Sequence, residues 1–428
     1  MSGRALALAV AVAALLARAA IAQASTPTFW AHQFVDSVGV NTHVRHAGSF
    51  YDTHFELMKQ RLREAKITHL RDGAMDQDGG FLASDGAARF RELGEQGARI
   101  TFVFRPIVTR QFVQEFPARV SPAFEAYELP NELNLQKDLP WPEVLRTWMP
   151  TFAQYVHENS QSARYPIIGP SIADLGDDPQ LKLGDQQRFL DFGNLHKYYR
   201  AFNPATKGYG RPGSPPCEAW NYGSLPYALC QVRRISGDKP IVCTEAGYIS
   251  NGPSARAVTP ELQARYVARM LMLHLKAGIV RTFVYQLADH GSDEGGNMGL
   301  LEADGTVKPA WRQLSALMNE LNDSAGPGQP PPLDIAFDGE LANLESVLFA
   351  KRDGSYRLVL WLEVPSFDPK AVRELAVAPQ RVTVNLPRNF HARRVMTFGD
   401  DGGASVRTAG AAMPLAIGDN LSIVDIGR

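Results

Sequence analysis

Two glutamates that follow short apolar segments have the side chains needed for acid–base chemistry. Glu132 follows Asn131 just beyond residues 123–129, and Glu245 ends residues 240–245. Paired carboxylates suit hydrolysis of a glycosidic bond, in which one protonates the leaving oxygen and the other meets the positive anomeric carbon. The acid then needs a raised pKa, whereas the nucleophile must stay ionised beside donors and a cation. Either glutamate could instead be a structural ion-pair partner.

Polar side chains at the ends of other apolar segments could complete such a site. Arg71 could be the cation beside the nucleophile, or it could pair with Asp72 or another structural carboxylate. His196 and Tyr198 form a His-x-Tyr motif. Lys197 between them could contact an acidic sugar, although we expect it to point into solvent. The segment ends therefore hold donors and a cation as well as carboxylates.

The remaining candidate ligands do not indicate a metal or a cofactor. His43, His46 and His69 have metal-capable side chains, but the His-x-x-His spacing of the first two falls at a strand end and not along a helix. Asn41 is as well suited to closing a turn as to binding a substrate. Neither a Gly-x-Ser-x-Gly elbow nor a His-Glu-x-x-His motif occurs, which argues against serine hydrolases and zinc peptidases. We assign no metal and expect no cofactor.

Short apolar segments alternate with segments of helical period from about residue 36 to 321. This alternation favours an α/β fold, a (β/α)8 TIM barrel, over an open doubly wound sheet, which also lacks its Gly-rich fingerprint. In such a barrel the active site lies at the carboxyl ends of the strands, where the polar residues are found. The predicted strands are 38–44, 67–72, 99–105, 123–129, 166–170, 191–196, 240–245 and 282–287.

The pattern changes after a Gly- and Pro-rich segment at residues 322–333, which has the composition of a linker. Residues 334–428 contain short β-rich runs separated by turn signals, which predicts a small antiparallel β-sandwich domain. The barrel would then occupy residues 25–321. We expect Trp361 to lie in the core of the sandwich and the sandwich to have a structural role.

The N-terminal residues 1–24 predict a secretory signal peptide. An arginine, the apolar run 5–17 and A-x-A-like sites follow one another, and the run is too short for a membrane span of about 20 residues. An uncleaved anchor is the alternative. In an oxidising compartment we expect a disulfide between Cys217 and Cys230, with Cys243 as a small buried hydrophobe.

The overall composition excludes some classes of partner. The chain has 428 residues, with 44 Lys and Arg against 45 Asp and Glu, and a net charge of −1. This balance argues against a protein that binds nucleic acid or an anionic membrane through its net charge. After cleavage of the signal peptide, no membrane span is expected.

Four features in chain order carry a resemblance to a known group of enzymes. They are an arginine after strand two, Asn-Glu after strand four, His-x-Tyr after strand six and a glutamate after strand seven. Together they resemble the retaining glycoside hydrolases of clan A, and the layout is closest to glycoside hydrolase family 39-like proteins. The residues are Arg71, Asn131, Glu132, His196, Tyr198 and Glu245.

The resemblance implies a role for each of these residues. Glu132 would be the general acid/base and Glu245 the nucleophile. Asn131 would donate a hydrogen bond to the sugar hydroxyl next to the anomeric centre. Arg71 and Tyr198 would hold and polarise the nucleophile.

His196 would line the same subsite. Clan A members commonly present a Trp from strand eight as a sugar platform, and the candidate here is Tyr285. Trp141, Trp148 and Trp220 could be further platforms or core residues.

We therefore predict an exported retaining glycoside hydrolase that cleaves O-glycosidic bonds of a β-linked polysaccharide or oligosaccharide, with an exopolysaccharide among the candidates. The alternative is a non-catalytic carbohydrate-binding protein on a degenerate glycosidase barrel. The expected partner is a carbohydrate.

Overall fold

The computed structural model describes residues 26–74, 84–173, 179–207, 215, 217–218, 221–290, 297–409 and 414–428. The predicted signal peptide and Trp220 lie outside these ranges. Among the helices of the described ranges, none is long and apolar enough to cross a membrane.

Eight parallel strands form the barrel that the sequence predicts. With Thr28–Trp30 as β1, they are β2 Val38–Asn41, β3 His69–Gly73, β4 Arg99–Val103, β5 Phe124–Glu128, β6 Ile167–Ile168, β7 Gly193–Tyr198, β8 Ile241–Gly247 and β9 Ile279–Val284. Neighbours follow the order β6-β5-β4-β3-β2-β9-β8-β7, and a parallel bridge between Ile168 and Phe192 links the two outermost strands. The eight predicted strands are all present, with ends shifted by a few residues.

Helices pack around the barrel because each buries one apolar face against the strands. In the helix Pro260–Lys276, the Thr259 side chain accepts a hydrogen bond from Leu262 N at 3.3 Å and so caps the N-terminus of the helix. The helices are α1 Ala31–Asp36, α2 Phe50–Thr53, α3 Phe55–Glu64, α4 Ser84–Glu95, α5 Arg110–Val120, α6 Trp141–His157, α7 Pro179–Leu183, α8 Leu225–Ser236, α9 Pro260–Lys276 and α10 Pro309–Leu321.

The C-terminal region forms two packed sheets and a separate two-stranded sheet, β13-β14. Its strands are β10 Ala336–Gly339, β11 Leu344–Ala350, β12 Tyr356–Leu362, β13 Phe367–Asp368, β14 Arg373–Glu374, β15 Gln380–Asn385, β16 His391–Phe398, β17 Ala404–Thr408, β18 Pro414–Ile417 and β19 Ser422–Gly427. One sheet has the order β1-β11-β12-β19-β16-β17 and the other β10-β15-β18. Strand β1 pairs in parallel with β11, so the sandwich takes one strand from the region that the sequence assigned to the barrel.

A buried ion pair joins the sandwich to the barrel. Arg269 on α9 is fully buried and donates two hydrogen bonds to Glu363, from Nε at 2.9 Å and from Nη2 at 2.5 Å. Trp361 is fully buried beside it and donates from Nε1 to Glu363 at 2.8 Å. The prediction that Trp361 is a core residue is confirmed.

The cysteines follow the sequence prediction. Cys217 and Cys230 form a disulfide with a Cα–Cα distance of 5.5 Å, which ties the loop before α8 to that helix. Cys243 is free and buried in β8.

Candidate active site

One buried arginine lies at the centre of the barrel mouth. Arg71, near the end of β3, donates from Nε and Nη2 to the two carboxylate oxygens of Glu128 at 2.7 and 2.8 Å. Its Nη1 donates to Glu245 at 2.6 Å and to Asn41 Oδ1 at 2.9 Å, and Nη2 also donates to Asn131 Oδ1 at 2.7 Å. The planar guanidinium presents its donors in a rigid fork, so Arg71 fixes the positions of two carboxylates and two amides.

Of the alternative partners considered for Arg71, Asp72 is wrong, whereas Glu128 is another structural carboxylate with which Arg71 does pair. Successive side chains of a strand point to opposite faces, so the side chains of Arg71 and Asp72 point away from each other. Asp72 accepts hydrogen bonds from Thr42 Oγ1 at 2.8 Å and from Val44 N at 2.9 Å. Its carboxylate therefore fixes the loop after β2.

Glu128 is a site residue that sequence reasoning missed. It ends β5, is fully buried, and accepts hydrogen bonds from Asn194 Nδ2 and Thr244 Oγ1 at 3.0 Å each, besides those from Arg71. A carboxylate at the end of an otherwise largely apolar strand was the available signal, because a buried charge requires a partner. The identity of that partner depends on the barrel, in which β3 and β5 lie on either side of β4.

Glu245 on β8 is held through both carboxylate oxygens. Oε1 accepts from Arg71, and Oε2 accepts from the Tyr198 hydroxyl at 2.6 Å. Burial and the charge of Glu245 together raise the pKa of Tyr198 well above its usual value. The phenol therefore remains a donor, and the orientation of the Glu245 carboxylate is fixed from two sides.

Glu132 is positioned by its backbone as well as by its side chain. Its φ angle of 46° lies in the left-handed region, which costs a non-glycine residue about 1 kcal/mol. The backbone N of Glu132 donates to Ser171 O at 3.1 Å, which holds this conformation. Its Oε1 lies 2.7 Å from His196 Nδ1, and His196 Nε2 lies 3.0 Å from Thr244 Oγ1. The contact with His196 turns the carboxylate into the cleft.

Glu132 and His196 shift each other's pKa values in the directions that favour an ion pair. Burial raises the pKa of Glu132, but the hydrogen bond and charge of His196, together with Arg71, give a net lowering. Burial lowers the pKa of His196, but the carboxylates of Glu245 and Glu132 give a net increase. The raised pKa expected for the acid is therefore absent from Glu132, and the directions of the two shifts favour His196 as the site of the pair's proton.

The two catalytic candidates face each other. Glu132, His196 and Glu245 each place one N or O atom within 4.8 Å of the others. These side chains are also possible ligands of a divalent cation. Each already has a hydrogen-bond partner in the protein, and the assignment of no metal stays a prediction.

The cleft at the barrel mouth has two lobes, which meet at Glu245 and Tyr285. The larger lobe has a volume of about 740 Å³ and the smaller about 370 Å³. Tyr285 follows β9, and a Cβ atom at Gly247 would lie 2.2 Å from Tyr285 O, so this close approach requires glycine. The larger lobe includes Asn41, Arg71 and Asn131, and the smaller includes Glu132, Tyr198 and Met298.

The two predicted asparagines differ in what they leave for a ligand. Asn41 Oδ1 accepts from Arg71 and its Nδ2 donates to Thr244 O at 3.1 Å, so its side chain is engaged by the protein. Asn131 uses Oδ1 for Arg71, while its Nδ2 has no partner among the residues that the structure describes. Asn131 therefore offers a donor to the cleft, whereas Asn41 orients Arg71.

The expectation that Lys197 points into solvent is wrong, and Lys197 does not line the cleft either. On β7 it lies between His196 and Tyr198 and faces the opposite side. Its Nζ is buried, donates to Gly223 O at 2.7 Å and lies 4.4 Å from the centre of the Tyr199 ring. Burial lowers the pKa of Lys197 to about 8.

Other aromatic and basic residues were not assigned by sequence reasoning. Trp141 and Trp148 are buried in α6 and pack in the core.

Four arginines border the cleft in loops beyond the strand ends, where neither hydrophobic period nor a short motif marks them. They are Arg45 and Arg105 in the larger lobe and Arg200 and Arg256 in the smaller.

No protein-family model matches the sequence, and no curated protein matches it. Among solved structures, the chain is similar to a family 39 glycoside hydrolase from the gut symbiont Bacteroides cellulosilyticus WH2, with a TM-score of 0.60 and 16% identity over 92% of this chain and 82% of that one. A β-glucuronidase from Faecalibacterium prausnitzii matches with a TM-score of 0.45 and 17% identity over 66% and 49%. The first likeness establishes a shared fold and confirms, at the level of fold, the resemblance expected from the sequence.

Proposed function

We propose that the protein is a retaining glycoside hydrolase in which Glu132 is the general acid/base and Glu245 the nucleophile. The observation that carries this proposal is the approach of the two carboxylates, which have oxygens within 4.8 Å of each other at the barrel mouth. Retaining enzymes separate their carboxyl groups by about 5–5.5 Å, and inverting enzymes by about 6.5–9.5 Å to admit a water. The fold shared with a family 39 glycoside hydrolase supports the reaction class.

In the first step, a carboxylate oxygen of Glu245 attacks the anomeric carbon. The bond from that carbon to the glycosidic oxygen breaks, and Glu132 passes a proton to the departing oxygen. Arg71 and Tyr198 hold Glu245 at 2.6 Å each, so the nucleophile reaches the sugar with little reorganisation. Asn131 Nδ2 is the donor available to the neighbouring hydroxyl.

In the second step, water releases the sugar from Glu245. Glu132 takes a proton from the water as its oxygen attacks the anomeric carbon, and Glu245 leaves as a carboxylate. Because each step inverts the anomeric carbon, the product retains the configuration of the substrate.

The proton for the first step comes from the pair formed by Glu132 and His196. The pair holds one proton on the hydrogen bond between His196 Nδ1 and Glu132 Oε1, which is 2.7 Å long. Transfer of this proton to Glu132 as the substrate enters converts the ionised carboxylate into the acid that the reaction needs. His196 is thus a positioning residue that also stores the proton.

The proposal extends to a β-linked polysaccharide or oligosaccharide outside the cytoplasm. Residues 1–24 have the pattern of a signal peptide, and the Cys217–Cys230 disulfide is compatible with an oxidising compartment. The cleft borders the catalytic pair on both sides, which suits a chain that continues beyond the scissile bond.

The test is a screen of polysaccharides, including bacterial exopolysaccharides, with reducing ends and product sizes measured over time. Proton NMR of the first products gives their anomeric configuration. Retained configuration, with loss of turnover in Glu245→Ala but not in the surface control Glu115→Ala, would support the proposal. Inverted products would contradict the assignment of Glu245. Binding of a polysaccharide without new reducing ends would favour a non-catalytic binding protein.

A further inference from the structure

The larger lobe contains a buried guanidinium whose hydrogen-bonding capacity is largely unused. The Arg45 side chain is only 9% exposed, and its Nε and Nη1 have no hydrogen-bond partner among the described residues. Its nearest carboxylate oxygen, Asp72 Oδ1, is 3.6 Å from Nε, which is longer than a hydrogen bond. A buried guanidinium with unused N–H donors is costly, so a site of this kind is suited to an anion that enters with the substrate.

The backbone near Arg45 leaves space for this guanidinium. A Cβ atom at Gly73 would lie 2.3 Å from Arg45 Nη2, so no other residue fits at position 73 without displacing the arginine. Asp72 Oδ2 accepts from Thr42 Oγ1 and Val44 N, while its Oδ1 accepts from Gly73 N and lies 3.6 Å from Arg45 Nε. The guanidinium is thus held beside the lobe by packing and by an ion pair that is too long for a hydrogen bond.

Most of the other charged side chains among the described residues of the two lobes are arginines. Arg105 lines the larger lobe with an exposed side chain, and Arg200 and Arg256 line the smaller lobe. Apart from the catalytic pair, Asp72 is the one carboxylate among the described residues that line the two lobes. Arg71 is saturated by Glu128, Glu245 and the two asparagines. Among the described residues that line the two lobes, arginines therefore outnumber carboxylates, although the chain has a net charge of −1.

We infer that the substrate is an acidic polysaccharide, and that Arg45 binds a sugar carboxylate in the larger lobe beside the scissile bond. This inference rests on the proposed glycosidase function and names the substrate class of that site. The Nε and Nη1 atoms of Arg45 are enclosed by the protein, so a carboxylate in the lobe would be bound through Nη2, by a charge-assisted hydrogen bond. Arg105 and Arg200 would attract the carboxylates of more distant sugars through the field of the cleft.

The experiment uses matched pairs of polymers. Alginate, hyaluronan, xanthan and a β-1,4-glucuronan are each offered in native form and after chemical reduction of their carboxyl groups, which changes the charge and keeps the linkage. We expect the enzyme to cleave at least one native polymer about 10- to 100-fold faster than its reduced form, the range for a charged hydrogen-bonding group. Arg45→Gln should reduce this ratio to near one, Arg45→Lys should restore part of it, and the sandwich surface control Arg388→Gln should leave it unchanged.

A binding assay keeps the inference separate from the catalytic proposal. Glu132→Gln protein is run through native gels that contain each native or reduced polymer, and retardation by a native polymer should require Arg45. Hydrolysis limited to reduced or neutral polymers would overturn the inference and leave the glycosidase proposal standing. Retardation without hydrolysis by the wild-type enzyme would support the basic subsite and count against the catalytic proposal. Absence of retardation by all four native polymers would overturn the inference.

Discussion

His196 Nδ1 lies 2.7 Å from Glu132 Oε1, so the proton of the proposed general acid is shared with an imidazole. The pKa of His196 is raised and that of Glu132 is lowered, and the pair therefore loses its last proton above the usual pKa of histidine. Without His196, that proton would belong to Glu132 alone and would be lost at lower pH.

We expect His196→Asn to move the alkaline limb of the pH profile of kcat/KM to lower pH, besides lowering the maximum. The measurement is kcat/KM between pH 4 and 9, with the exposed His157→Asn as control. An unchanged alkaline limb with a lower maximum would mean that His196 only positions Glu132.

Replacement of the nucleophile should abolish turnover. Glu245→Ala removes the group that forms the glycosyl intermediate, and we expect kcat/KM to fall about 10³-fold or more. Tyr198→Phe removes one hydrogen bond to Glu245 and should cost less, about 10-fold. Initial rates on the best substrate measure both. Comparable losses in the two variants would argue that Tyr198 does more than orient Glu245.

Glu128 should matter for stability as well as for activity. Glu128→Gln removes the negative partner of the buried Arg71, and loss of one partner of a buried ion pair costs about 3–5 kcal/mol. Arg71 would also lose the contact that aims its Nη1 at Glu245. Urea denaturation and kcat/KM measure the two effects, and Glu115→Gln on the surface of α5 is the control. Full stability in Glu128→Gln would show that Arg71 does not depend on this carboxylate.

The lowered pKa of the buried Lys197 should make the stability of the protein depend on pH. Its folded pKa of about 8 lies below the value of 10.5 for an unperturbed lysine, so folding disfavours its charged form. The cost is complete below pH 8 and disappears as the pH rises to 10.5. The stability of the wild-type protein relative to Lys197→Met should therefore increase between pH 7 and pH 10. Denaturation at both pH values tests this, and the exposed Lys137→Met should show no such trend.

The sandwich should be required for a stable barrel. Deletion of residues 334–428 exposes Arg269 without Glu363 and removes the sheet that pairs with β1. We expect insoluble protein or a greatly lowered melting temperature. The full-length variant Trp361→Ala should lower the free energy of unfolding by about 3–5 kcal/mol, because it leaves a cavity in the core. A loss of stability in this variant would be due to packing and not to the shortening of the chain. A soluble deletion variant with normal melting and lost polysaccharide binding would instead support a binding module.

Much of the barrel could be predicted from the sequence because its signals are local. The apolar runs of β2 to β9 and the helical periods between them follow from neighbouring residues alone. The strand-end positions of Glu132, Glu245 and Arg71 follow from the same runs. Lys197 was misjudged because the face of a strand on which a residue lies depends on where the strand begins, and one residue reverses the answer.

The sequence by itself determined the barrel with its appended sandwich and the polar residues at the strand ends, since periodicity and composition are properties of contiguous residues. Only the tertiary structure decided that Arg71 pairs with Glu128 and Glu245, that Thr28–Trp30 joins Leu344–Ala350, and that Arg45 lies buried beside the cleft. These relationships join residues far apart in the chain, and their partners are chosen by strand register and barrel closure.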